Sequence, residues 1–186
     1  GGKWERALSL LKEMREVGSS LEQLMEGNYS ATDLRSAGYY CSEMKGVGFT
    51  ISQLRTAGYS GSEMRIAGFA AAAMKDAGFS AKKLKASGYT AAECIDALWS
   101  VEVLKAAGYD ARELREAKCG ASELRTVGFT LHELREAGFS TQQLQAVGYG
   151  AEELRAAGVK LAELAMVGAT VAQLKAASIS VVGLKA

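Results

Sequence analysis

The sequence predicts an all-α solenoid or superhelix of tandem ten-residue repeats, with one short capped helix in each repeat. Three observations predict it. An apolar residue falls at every tenth position from Trp4 and Met14 through Leu34, Met44 and Leu54 to Leu174 and Leu184, without insertion or deletion. Glycine recurs in step four places later, at Gly18, Gly38, Gly48, Gly58 and onward to Gly168, so it punctuates the chain instead of linking domains. Ser or Thr opens many decades with Asp, Glu or Gln three residues on, as in Ser30 with Asp33, Thr50 with Gln53, Ser60 with Glu63 and Thr130 with Glu133. An unbroken short period makes each unit lean on its neighbours in sequence, not on a private core.

The whole of 1–186 reads as a single repeat array. Residues 3–17 lack an internal glycine and place Trp4, Ala7, Leu8, Leu11 and Met14 on one side, which predicts a longer N-terminal capping helix. Decapeptide repeats fill 18–177. The stretch 178–186 is expected to be irregular and to fray, because Ser178 replaces the glycine and Val159, Ala169 and Ile179 replace the aromatic residue of earlier units. The opening Gly1-Gly2 leads us to expect a segment cut from something longer.

Each decade is read as a helix with both ends written in. In the unit Phe139 to Tyr149, Ser140 is placed to accept from a free first-turn amide while Gln143 reaches back to the Ser140 amide, the reciprocal pairing of a capping box. Phe139 precedes the cap and can pack on Leu144 as a hydrophobic staple. Gly148 stands where a left-handed residue is wanted, with apolar Tyr149 after it, as in a Schellman motif. Caps contribute about 1 kcal/mol each, and isolated helices shorter than roughly 12 residues are marginal in water. Burial of the Leu, the aromatic and the small residues Ala81, Ala91, Ala111, Ala121, Ala137 and Ala157 must therefore supply the stability. The second, third, fifth and sixth positions are expected to face solvent.

A β-helix of pentapeptide-repeat type is the alternative, since Leu and aromatic residues alternate every five from Leu124 to Tyr149. It fits poorly. Two places before Leu84, Leu114 and Leu154 stand Lys82, Arg112 and Glu152, too long and charged for an inward slot. Runs such as Glu123-Leu124-Arg125-Thr126-Val127-Gly128-Phe129-Thr130 make nearly the full chain resemble AGFSxxELR-type decapeptide repeat proteins, uncharacterised short-helix solenoids of microbes. The resemblance implies no activity and points to scaffolding or binding.

Three decades break the glycine rule, at Asn28, Leu98 and Lys118. Leu98 and Lys118 must either adopt a costly positive φ or abandon the turn. Around Leu98 the run from Ile95 to Val103 is unusually apolar, which predicts a helix that runs on, a local kink with extra burial, or an exposed patch; Ile95, Leu98 and Trp99 are the candidate contact residues.

Chemistry is sparsely written. Cys41, Cys94 and Cys119 each replace a core residue and lack metal-ligand spacing, so they read as filler, with no cofactor or metal expected. His132 stands alone at an outward position, and the recurring glutamates at the third position are explained by helix starts. No triad converges, which predicts a protein that is not an enzyme. The strongest candidate is a stripe of cations at the fifth position, from Arg15 and Arg35 through Arg115, Arg125 and Arg135 to Lys185. With a net charge of +1 and acids at the third and sixth positions, the stripe is expected to be solvated and self-paired, so nucleic acid is a disfavoured partner. The expected partner is another protein, or a second copy through the chain ends. No stretch is long and apolar enough for a membrane, and reduced thiols suit a cytoplasmic protein.

Overall fold

A computed structural model of the chain describes residues 2–18, 21 and 27–183, the side chains of 2–4 and 179–183 excepted. The roles expected of Ile179, Leu184, Lys185 and the Trp4 side chain lie outside what is described. Sixteen α-helices and no strand occur among the described residues, which removes the β-helix alternative. A longer helix, α1 (Gly2–Glu16), comes first. Six-residue helices then follow every ten residues: α2 (Ala31–Ser36), α3 (Cys41–Gly46), α4 (Ile51–Thr56), α5 (Gly61–Ile66), α6 (Ala71–Asp76), α7 (Ala81–Ala86), α8 (Ala91–Asp96), α9 (Val101–Ala106), α10 (Ala111–Glu116), α11 (Ala121–Thr126), α12 (Leu131–Glu136), α13 (Thr141–Ala146), α14 (Ala151–Ala156) and α15 (Leu161–Met166). The last helix, α16 (Val171–Gly183), is longer.

The local signals form as written. Ser140 N–H donates to Gln143 Oε1 at 2.8 Å and Gln143 N–H to Ser140 Oγ at 3.2 Å. The same reciprocal pair closes Ser30 with Asp33, Thr50 with Gln53, Ser60 with Glu63 and Thr130 with Glu133. At the other end, Tyr149 N–H donates to Leu144 O at 3.1 Å and Gly148 N–H to Gln145 O at 2.9 Å, the two bonds of a Schellman turn. Gly148 has a φ of 90°, open to glycine without a Cβ penalty.

The chain divides into two compact units, Gly1–Tyr89 with Asp96–Leu98, and Thr90–Ile95 with Trp99–Ala186. Within each, a helix packs against the helix two repeats on: α2 on α4, α3 on α5 and α5 on α7 in the first unit, α10 on α12 and α14 on α16 in the second. Two decades therefore make one coil, and equivalent residues stack twenty positions apart. The fourth-position residues, from Leu34 and Met44 through Leu104 and Leu114 to Leu164, are fully buried along the axis. The ninth-position ring closes the coil from the side, and the Tyr59 hydroxyl donates to Tyr39 O in the preceding coil, as Tyr89 does to Phe69 O at 2.6 Å.

Asn28, Leu98 and Lys118 take the positive φ, at 55°, 60° and 72°. The chain around Leu98 thus turns, and the expectation of a helix running on is corrected. Trp99 N–H bonds to Cys94 O at 3.1 Å and the Ser100 side chain caps α9, so both flanking ends are held and the turn must close whatever residue occupies it. At Ser178 the chain does the opposite: α16 continues through it to Gly183, helical where sequence reasoning expects an irregular end.

Candidate interaction surface

The fifth-position cation leaves its helix beside the C-terminus and reaches forward by one coil. Arg35 Nη1 donates to Ala57 O at 3.3 Å, and its guanidinium carbon lies 4.6 Å from the centroid of the Tyr59 ring. Arg35 Nη2 also lies 3.8 Å from the Glu63 carboxylate. Three partners at 22, 24 and 28 residues' distance recur elsewhere. Lys45 Nζ donates to Ala67 O at 3.0 Å and Gly68 O at 2.8 Å below the Phe69 ring, and Lys105 Nζ donates to Val127 O at 2.8 Å beside the Phe129 ring. Arg15 sits 4.9 Å from the Tyr39 ring and 3.6 Å from Glu43.

The physical reason is the end of the neighbouring helix. A six-residue helix leaves carbonyls without intrahelical donors and carries the negative end of its dipole there. A cation arriving from the previous coil satisfies a carbonyl, meets that dipole and lies on the ring face that closes the same turn. The stripe therefore acts as a row of clamps between coils.

Arg115 and Arg125 belong to that row. Arg115 donates to Ala137 O at 3.2 Å and lies 5.6 Å from the Phe139 ring; Arg125 donates to Val147 O and lies 4.2 Å from the Tyr149 ring. Arg135 reaches the Gly158 turn, where a Cβ would stand 3.3 Å from its Nη1. Arg115 and Arg125 stay exposed, as expected of the fifth position, but their head groups are held on the next coil. Third-position Glu43 and Glu63 do pair with the stripe, whereas sixth-position Glu136 pairs with His132 at 3.4 Å on the open surface.

The apolar candidates lie differently. Leu98 is 85 % exposed in its left-handed turn, and Ile95 and Trp99 are half-buried. In the second unit, Ile95 and Trp99 line an open cleft of about 500 Å³ together with Val101, Glu102, Lys118, Cys119 and Glu123. It coincides with a missing clamp. Position 95 carries Ile where a cation is usual, and position 119, one coil on, carries Cys where a ring is usual. The same double change occurs at Gln145 and Ala169. Local spacing does not carry this signal, because the two positions are 24 residues apart and become neighbours only in the two-decade coil.

The remaining chemistry is quiet. The three cysteines are free and buried, and burial pushes each thiol up, Cys41 to about 11. Such thiols are protonated at neutral pH and weakly nucleophilic. The Cys94 thiol meets the Tyr109 hydroxyl at 3.3 Å. Among the described residues no group of His, Cys, Asp or Glu could hold a metal ion, and no helix is long and apolar enough to cross a membrane.

A family model described as a decapeptide repeat region matches residues 10–75, 68–136 and 108–181. The chain belongs to the decapeptide repeat family. Neither a curated protein nor a solved structure matches it. The geometry above thus describes how this decapeptide repeat closes: a buried fourth-position residue, a ring at the side, a glycine turn and, in many repeats, a cation fastening one coil to the next.

Proposed function

We propose that this decapeptide repeat protein is a non-enzymatic scaffold that presents an extended surface to a protein partner or to a second copy of itself. The observation that carries the reading is Leu98. A left-handed backbone costs a β-carbon-bearing residue roughly 1–2 kcal/mol, and thirteen glycines take the equivalent place elsewhere. A large apolar side chain held in solvent at that cost gains nothing for the coil it sits in and suits a contact. Met166, 88 % exposed, and Val17 supply further apolar surface near the last and first helices, in keeping with self-association.

Leu98→Lys tests it, because Lys118 already accepts the same turn. The expected outcome is lost capture of a specific partner from the source cell, or a lower oligomeric mass by sedimentation, with an unchanged helical spectrum. Unchanged capture and mass in a folded variant would overturn the role of Leu98. A monomeric mass with no specific partner for the parent chain would remove the scaffold reading. A passive spacer is favoured by the regular coil; shortening by twenty residues would then change function in proportion to length. We disfavour the nucleic-acid reading, since many of the fifth-position cations are engaged by carbonyls and rings.

A further inference from the structure

The cleft at Ile95 retains the acceptors of a clamp whose cation is absent from the chain. Elsewhere a fifth-position cation finds the carbonyls 22 and 23 residues on and, in the best-equipped coils, a carboxylate 28 residues on. For Lys45 those carbonyls are Ala67 and Gly68, and for Arg35 the acceptors are Ala57 O and Glu63. Counted from Ile95, the same places are Ala117, Lys118 and Glu123, and all three line the cleft. Ala117 closes α10, so its carbonyl lies at the negative end of that helix. Glu123 belongs to α11, whose N-cap Gly120 has no side chain to share, and among the described residues no hydrogen bond or ion pair engages its carboxylate. The floor is apolar, from Ile95, Trp99, Val101 and Cys119, and Glu102 and Glu123 on the rim outweigh the single cation there, Lys118. The other double change, Gln145 with Ala169, has Gln173 in the carboxylate place and so lacks the charge.

We propose that this cleft receives an arginine side chain from a partner protein, whose guanidinium takes in trans the place that Arg35 or Arg115 fills in cis. The methylene stem lies on Ile95, Trp99 and Cys119, and the planar head donates to the Ala117 carbonyl and the Glu123 carboxylate, a match of charge and shape that an apolar side chain cannot supply. The inference rests on the interaction-surface reading and names the chemistry of its partner.

The test uses the full chain, isotopically labelled, titrated with N-acetyl-arginine methylamide and separately with the norleucine analogue. Shifts of the amides of Lys118, Cys119, Gly120 and Glu123 that saturate with the arginine probe and are absent with norleucine are expected. Ile95→Arg, which rebuilds the cation found in neighbouring repeats, is expected to keep the fold and abolish the response. Glu123→Gln is expected to weaken it about two- to fivefold. No response at these amides, an equal response to norleucine, or an undiminished response in folded Ile95→Arg would each overturn the proposal. The scaffold reading fails separately, through Leu98→Lys and the oligomeric mass, so the two failures are distinguishable.

Discussion

Arg35 and Tyr59 stack across one coil, with the guanidinium carbon 4.6 Å from the ring centroid and Nη1 on the carbonyl of Ala57. A residue that looks solvated in a helical wheel is thus shared by two turns of the solenoid. Because a clamp joins residues on different coils, it stabilises stacking, whereas caps stabilise only the local helix.

Removing one clamp should therefore loosen the array beyond its own helix. Arg35→Gln is expected to cost about 1–2 kcal/mol, from the lost cation–ring contact and charge-assisted hydrogen bond. Arg35→Lys should cost less, because Lys45, Lys75 and Lys105 make the same carbonyl bonds. Lys82→Gln, on the exposed face of α7, should stay within about 0.5 kcal/mol. Urea denaturation of the three variants checks the order; equal losses at Arg35 and Lys82 would contradict the clamp.

Leu98→Gly should raise stability by about 1 kcal/mol, since φ of 60° is strained for leucine and free for glycine. The same variant should weaken any contact the Leu98 side chain makes. Thermal denaturation and partner capture on one preparation would reveal such an opposition, and a drop in melting temperature would show the turn unstrained.

How much of this was legible in the sequence follows from what each signal reports. The helices, caps and glycine turns were readable because their partners lie within five or six residues, as Ser140 with Gln143 and Leu144 with Tyr149 do. The clamp was not, because Arg35 and Tyr59 become neighbours only through a two-decade coil that local spacing does not encode. Joint replacement at Ile95 with Cys119 and at Gln145 with Ala169 was the available trace. The turn at Leu98 is hard to read for a related reason: propensity opposes it, and the bond that closes it comes from Trp99 on its far side.

Acid should weaken the array through its capping carboxylates. Glu63 and Glu133 are held below the usual carboxylate range, chiefly by the backbone N–H of Ser60 and Thr130 and then by their hydroxyls. A depressed folded-state pKa means that the stabilisation is present above the unfolded value near about 4.3 and is lost as pH falls through the lower folded value. Glu63→Gln should flatten part of the dependence between neutral pH and pH about 3, because glutamine caps in the same way at Gln53 and Gln143 and does not titrate. Denaturation midpoints at the two pH values check it, and an unaltered slope would place the acid sensitivity elsewhere.

Gly61 and Ser87 form a size-matched pair in the first unit. Many repeats begin their helix with alanine, as at Ala71, Ala81 and Ala91, yet a Cβ on Gly61 would stand 2.1 Å from Ser87 Oγ, which occupies the alanine slot at the end of α7. Gly61→Ala alone is therefore expected to destabilise by about 1–3 kcal/mol through overpacking, although alanine favours helix over glycine by up to about 1 kcal/mol. Ser87→Ala alone should cost little, since the hydroxyl's bond is to Lys83 O within its own helix. Together they recreate the alanine pair of Ala111 and Ala137, one coil apart in the second unit and both buried. The double variant should consequently recover most of the loss from Gly61→Ala, giving a coupling energy of about 1 kcal/mol or more in a double-mutant cycle. Additive losses would mean that the two side chains do not share the space assigned to them.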